Sequence, residues 1–95
     1  MRTRQQYQQF RKPAKLHKAL SNERRLLLLS YLAAQENPDL LAVTDLAREL
    51  DIEYTLVSKH LLTLDQVDLI ERVRHGKSVG YRVTDFGRKC LKLTS

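Results

Sequence analysis

Residues 43–70 read VTDLARELDIEYTLVSKHLLTLDQVDLI, and the periodicity of this stretch decides the fold. Leu46, Ala47 and Leu50 recur at helical spacing, Asp51-Ile52-Glu53 interrupts them, and a second apolar stripe begins after Tyr54. On a helical wheel Val57, Leu61 and Leu64 fall on one side, which must be the buried one. The spacing predicts a helix over 45–50, a tight turn, and a helix over 54–66. Thr44 is the expected N-cap of the first helix, because its hydroxyl can accept a free N–H, and Asp45 suits the positive end of the helix dipole. Asp51 stands where the turn needs left-handed backbone, which Asp tolerates better than most residues. Ile52 is expected to plug the angle between the two helices.

The opposite face of the second helix carries Thr55, Ser58, Lys59, Leu62 and Thr63, with Tyr54 at its N-terminal end and Leu56 at its flank. ERVRHGKSVGYRV follows at once. Its alternation predicts strands over 69–74 and 79–84, joined by His75-Gly76-Lys77-Ser78. Val79, Tyr81 and Val83 share the face expected to pack inward; Arg72 and Arg74 share a face of their strand, and Arg82 points away from the Tyr81 side of its own. Thr84 then caps a last helix, 85–93, in which Gly87 would let helix and hairpin approach closely.

Upstream, Pro13 suits the first turn of a helix and not its middle, so a helix is expected over 13–20. Residues 1–12 are then a polar arm or short helix with Tyr7 and Phe10 on one face, and residues 13–95 a single domain. Ser21 and Asn22 cap the next helix, 23–34, whose Leu26, Leu29 and Leu32 recur at core spacing. Asn37-Pro38-Asp39 makes a turn, and the apolar link 40–43 has the composition of an edge strand. The expected class is α+β, mainly helical with a small β-hairpin.

Charge is distributed unevenly along the 95 residues, whose formal net charge is +6. Residues 1–25 carry +7, residues 26–53 carry −5 and residues 54–95 carry +4, so positive charge returns where the second helix of the motif begins. A basic chain with separated charge favours a polyanion partner. The longest apolar run, LLLL at 26–29, is too short to span a bilayer, and the basic N-terminus lacks the apolar core of an export signal, so a cytoplasmic protein is expected. One cysteine, Cys90, excludes an internal disulfide and reads as a small buried hydrophobe. No Gly-rich phosphate loop and no Ser/His/Asp arrangement at a workable spacing is present, which argues against an enzyme.

From about residue 16 to residue 83 the chain resembles the ArsR-like winged helix-turn-helix repressors. KALSNERRLLLLSYL is similar to that family's second helix, VTDLAREL to its positioning helix, YTLVSKHLLTL to its recognition helix and LIERVRHGKSVGYRV to its wing; YRVTDFG is closer to the wing exit of MarR- and PadR-type regulators. The resemblance implies a homodimer that represses transcription from operator DNA. It departs at the metal sites: Ala42 and Thr44 stand where metal-sensing members place cysteines, and the last helix lacks their paired Asp/His ligands. His17, His60 and His75 sit on separate elements, His60 as a packing residue and His75 at the wing tip, so no metal or other cofactor is expected.

Double-stranded DNA is the expected partner. Tyr54, Thr55, Ser58, Lys59, Leu62 and Thr63 are placed for the major groove, and Arg72, Arg74, Lys77 and Arg82 for the backbone or minor groove. The face holds no Arg, Asn or Gln before Gln66, so direct base readout is modest and DNA shape contributes. Pairing is expected through terminal helices, by way of Tyr7/Phe10, Leu16/Leu20 and Leu91/Leu93. The alternatives are a winged-helix module that docks a protein on the acidic stretch 36–53, or one that binds RNA.

Overall fold

The computed structural model describes residues 11–35 and 41–94, which form helices α1 (Arg11–Leu20), α2 (Glu23–Ala34), α3 (Val43–Leu50), α4 (Tyr54–Gln66) and α5 (Asp85–Thr94), with strands β1 (Ile70–His75) and β2 (Ser78–Val83) between α4 and α5. Tyr7, Phe10 and the Asn37-Pro38-Asp39 turn lie outside the described residues. The helix expected from residue 13 begins at Arg11, which still leaves Pro13 in the first turn, where its missing N–H costs nothing. Asn22 caps α2 as expected: its Oδ1 accepts the N–H groups of Arg24 (2.9 Å) and Arg25 (3.1 Å). Arg25 reaches back to the end of α1, donating to the carbonyls of Ala19 and Lys18 at 2.8 Å each, and so ties the two helices together.

The stripe on α2 differs from the expected one. Leu28, Leu29 and Leu32 are the buried residues, whereas Leu26 is half-buried and Leu27 is exposed. Four consecutive leucines fit more than one helical stripe, so the period alone could not choose between Leu26 and Leu28.

The start of α3 is a second correction. It begins at Val43, not residue 45; Ala42 is its N-cap, and Thr44 is an exposed residue of the first turn. The Asp45 carboxylate accepts the Ala42 N–H at 3.1 Å, as an acid at the third helical position can. The cause lies upstream. Leu41 is bridged to Tyr81 on β2 by two backbone bonds (3.4 and 3.0 Å), so the apolar link becomes a single extra rung on the hairpin and the chain turns into helix directly after it.

Asp51 ends α3 in the left-handed region (φ 52°, ψ 49°), and the Ile52 N–H closes on the Ala47 carbonyl at 3.1 Å. On α4 the expected face is the buried one: Val57, Leu61 and Leu64 are fully covered, and His60 packs beside them. They join Ala19, Leu28, Leu29, Leu32, Leu46, Leu69, Ile70 and Cys90 in one core.

The strands pair antiparallel from Ile70↔Val83 to His75↔Ser78. His75 and Ser78 therefore belong to the ladder, and the connection shrinks to Gly76-Lys77. Gly76 has φ 60° and Lys77 is not in the positive region, as in hairpin turns that place glycine first. Thr84 Oγ1 accepts the Gly87 N–H at 2.9 Å and donates to the Asp68 carbonyl at 2.6 Å, capping α5 while fastening it to the base of the hairpin.

Candidate nucleic-acid interface

The buried stripe of α4 leaves Tyr54, Thr55, Ser58, Lys59 and Leu62 exposed along its other side, with 58% of the Leu62 surface open to solvent. An exposed leucine among polar residues has no packing role within the chain, but a base edge or thymine methyl could cover it. Two expected contact residues are engaged locally. Thr63 is half-buried, and its hydroxyl donates to the Lys59 carbonyl at 3.1 Å. The Thr55 hydroxyl donates to Glu53 Oε1 at 2.9 Å, which holds a carboxylate at the N-terminal end of α4. Sequence reasoning missed Glu53, and the signal available for it was the lack of a Ser, Thr, Asp or Asn at this N-cap.

Behind this face, His60 anchors the helix. Its Nδ1 lies 3.5 Å from Arg25 Nη1, and its Nε2 is buried with no partner among the described residues. Burial first, then the Arg25 and Arg24 charges, hold the imidazole below its ordinary value of 6.5. His60 is therefore neutral at pH 7 and packs as expected for a structural histidine.

The hairpin register sorts the wing cations. Directly opposed residues in an antiparallel pair share a face, so Arg72 lies with Tyr81, and Arg74 with Val79. Arg72 and Tyr81 border a cleft of about 290 Å³ together with Ser58, Lys59, Leu62 and Asp65, so this face of the hairpin addresses the exposed side of α4. An adjoining cleft of about 390 Å³ runs from Ser58 and Tyr54 past Arg72 and Tyr81 to Thr44 on α3. Lys77 is exposed at the turn. Arg82 pairs across the strands with Glu71, on the other face, and forms an ion pair with it. The fold thus brings Ser58, Lys59, Leu62 and Arg72 together, aligns Arg74 with them, and turns Arg82 away. Thr44 and Tyr81, read from sequence as a cap and a packing residue, border the cleft as well.

Solved structures of transcriptional regulators share the fold of this chain. A crystallised fragment of a possible transcriptional regulatory protein from Mycobacterium bovis is 31% identical, with 87% of this chain and 86% of that one covered and a TM-score of 0.74. The chain has the ArsR-like winged helix-turn-helix fold. A solution structure from the same organism, described as the homodimeric winged helix-turn-helix DNA-binding domain of a possible ArsR-family regulator, matches this ArsR-like chain at 27% identity over 99% of it and 84% of the other chain, with a TM-score of 0.80. An ArsR-like regulator from Rhodococcus matches at 25% identity over 93% and 77%, with a TM-score of 0.74. No protein-family model and no curated protein matches the sequence. These neighbours are transcriptional regulators, a family that is not enzymatic, and by the sequence resemblance α3 corresponds to the positioning helix, α4 to the recognition helix and the hairpin to the wing. Among the described residues no cluster of His, Cys, Asp or Glu could hold a metal ion, and no helix is long and apolar enough to cross a membrane.

Proposed function

We propose that this ArsR-like chain is a sequence-specific, duplex-DNA-binding transcriptional regulator that acts as a homodimeric repressor with no resident metal. The observation that carries this reading is the shared orientation of the exposed α4 face and the Arg72/Arg74 face of the wing, one basic surface built from two elements. Lys59 supplies a donor for guanine O6 or N7, Ser58 and Tyr54 reach bases or phosphates, Leu62 makes apolar contact, and Arg72, Arg74 and Lys77 hold the backbone. Thr55 contributes through the carboxylate it orients, and Thr63 and Arg82 flank the interface. Homodimerisation is supported by the dimeric state named for the Mycobacterium bovis domain.

Selection of bound sequences from random duplex DNA tests this reading. The wild-type chain should enrich a two-fold symmetric site, with half-sites spaced by about one turn of DNA, roughly 34 Å, or a multiple. Lys59→Ala should relax one position of each half-site, at about 1–3 kcal/mol for the missing base hydrogen bond. A pool that remains random after selection would refute it.

A further inference from the structure

We propose that the 390 Å³ cleft between the first turn of α3, the start of α4 and the wing is the seat of a single phosphodiester group of the DNA backbone. The inference rests on the duplex-binding reading above. Its geometry comes from the Leu41–Tyr81 bridge, which draws the start of α3 against β2. Thr44 on α3, Tyr54 and Ser58 on α4, and Tyr81 on β2 border one hollow and bring four hydroxyl side chains to it. Arg72 closes the same hollow from β1, directly opposite Tyr81 in the ladder, and has no ion-pair partner among the described residues.

Among the described residues no carboxylate borders this cleft. Of the neighbouring acids, Asp45 accepts the Ala42 N–H and pairs with Arg48 at 3.2 Å, and Glu53, at the N-cap of α4, accepts the Thr55 hydroxyl at 2.9 Å. Asp65 borders only the adjoining cleft beside Lys59 and Leu62. A guanidinium among hydroxyls, without a competing carboxylate, suits a tetrahedral oxyanion: the guanidinium offers forked N–H donors and each hydroxyl one more. The site also lies where such an anion has to pass. A recognition helix in the major groove and a wing in the next minor groove have one strand of the backbone running between them. Thr44 and Tyr81 thereby become contact residues, and Arg72 is separated from the other wing cations as the one that sets register.

The test uses the full chain in two arms. In the first, amide chemical shifts are followed while inorganic phosphate is added. The shifts should concentrate at Thr44, Ser58, Arg72 and Tyr81 in the wild type and disappear in Arg72→Ala. Shifts that are absent, or spread over all basic segments alike, would overturn the seat whether or not the chain binds DNA. In the second, binding to a duplex of arbitrary sequence is titrated with salt for Thr44→Val, Tyr81→Phe and Arg72→Ala. Each hydroxyl removal should weaken binding by about tenfold at unchanged salt slope. Arg72→Ala should also reduce the slope by about 0.9. Phosphate shifts in the cleft together with wild-type duplex affinity for Thr44→Val and Tyr81→Phe would assign the seat to a free phosphorylated molecule and overturn the backbone assignment. A wild-type chain that fails to bind any duplex defeats the functional reading itself, which the phosphate arm does not depend on.

Discussion

A Cβ added at Gly87 would stand 2.1 Å from the Leu69 carbonyl oxygen and 2.9 Å from Val83 Cγ2, because α5 crosses the base of the hairpin at that residue. The first neighbour is backbone and cannot swing aside. Gly87→Ala is therefore expected to lower unfolding stability by about 1–3 kcal/mol, read as a drop in urea midpoint at unchanged slope. His60 supplies a second expectation. Its folded-state affinity for a proton is depressed by burial and by Arg25 and Arg24, so unfolding takes up a proton below the ordinary value of 6.5. Stability from this residue is complete above that pH and falls as the solution is acidified through and below it. The urea midpoint should decrease between about pH 7.5 and about pH 5.5, and His60→Gln should flatten that part of the profile. Both residues were legible in the sequence, Gly87 as a close approach near the start of the capped last helix and His60 as a packing residue on the second helix of the motif. The Thr55–Glu53 bond was not, because nothing in a helical wheel says whether an exposed hydroxyl turns to solvent or to the carboxylate two residues before it.

At the scale of the elements, α4 and its buried stripe follow from periodicity alone, with bounds at Tyr54 and Gln66 as expected. The start of α3 does not, because it is set by a bridge between Leu41 and a strand forty residues later in the chain. Tertiary pairing decided there what cap propensity suggested otherwise. The wing lies between these cases. Alternation placed Arg72 and Arg74 on one face of their strand and Arg82 away from Tyr81 on its own. Only the register shows that Arg72 and Arg74 lie on the Tyr81 face and that Arg82, expected among the contact cations, stands opposite Glu71 on the other. The consequence is measurable. Replacing Arg72, Arg74 and Lys77 together with alanine should weaken binding to every duplex and reduce the salt slope by about 0.9 for each phosphate deprived of its cation. Arg82→Ala should leave that slope nearly unchanged, and because its pair with Glu71 is exposed, it should alter stability by less than about 1 kcal/mol. Equal effects of Arg82 and Arg72 on the slope would mean that both faces of the wing touch DNA.

For the whole molecule, apart from Tyr54 and Leu62 on α4 and Leu27 on α2, the exposed large apolar side chains among the described residues lie on the last helix. Phe86 on α5 is 44% exposed, Leu93 is 86% exposed, and Pro13 and Leu16 of α1 border a groove of about 430 Å³ with Val67 and Phe86. Leu91 is half-buried against the core and so contributes less than the sequence pattern suggested. Such a surface on a small domain favours pairing. Sedimentation at micromolar concentration should give about twice the 11.1 kDa chain mass, with no change on adding a chelator, and Phe86→Glu should shift it toward monomer. The central claim is that the exposed α4 face and the Arg72/Arg74 side of the wing read duplex DNA together. The most direct test compares a duplex enriched by selection with a scrambled one of equal length, across salt. Affinity for both should fall by orders of magnitude between about 50 and 200 mM salt, while the selected duplex stays at least about 10³-fold tighter throughout. Equal affinity for the two duplexes, or binding that ignores salt, would contradict the account.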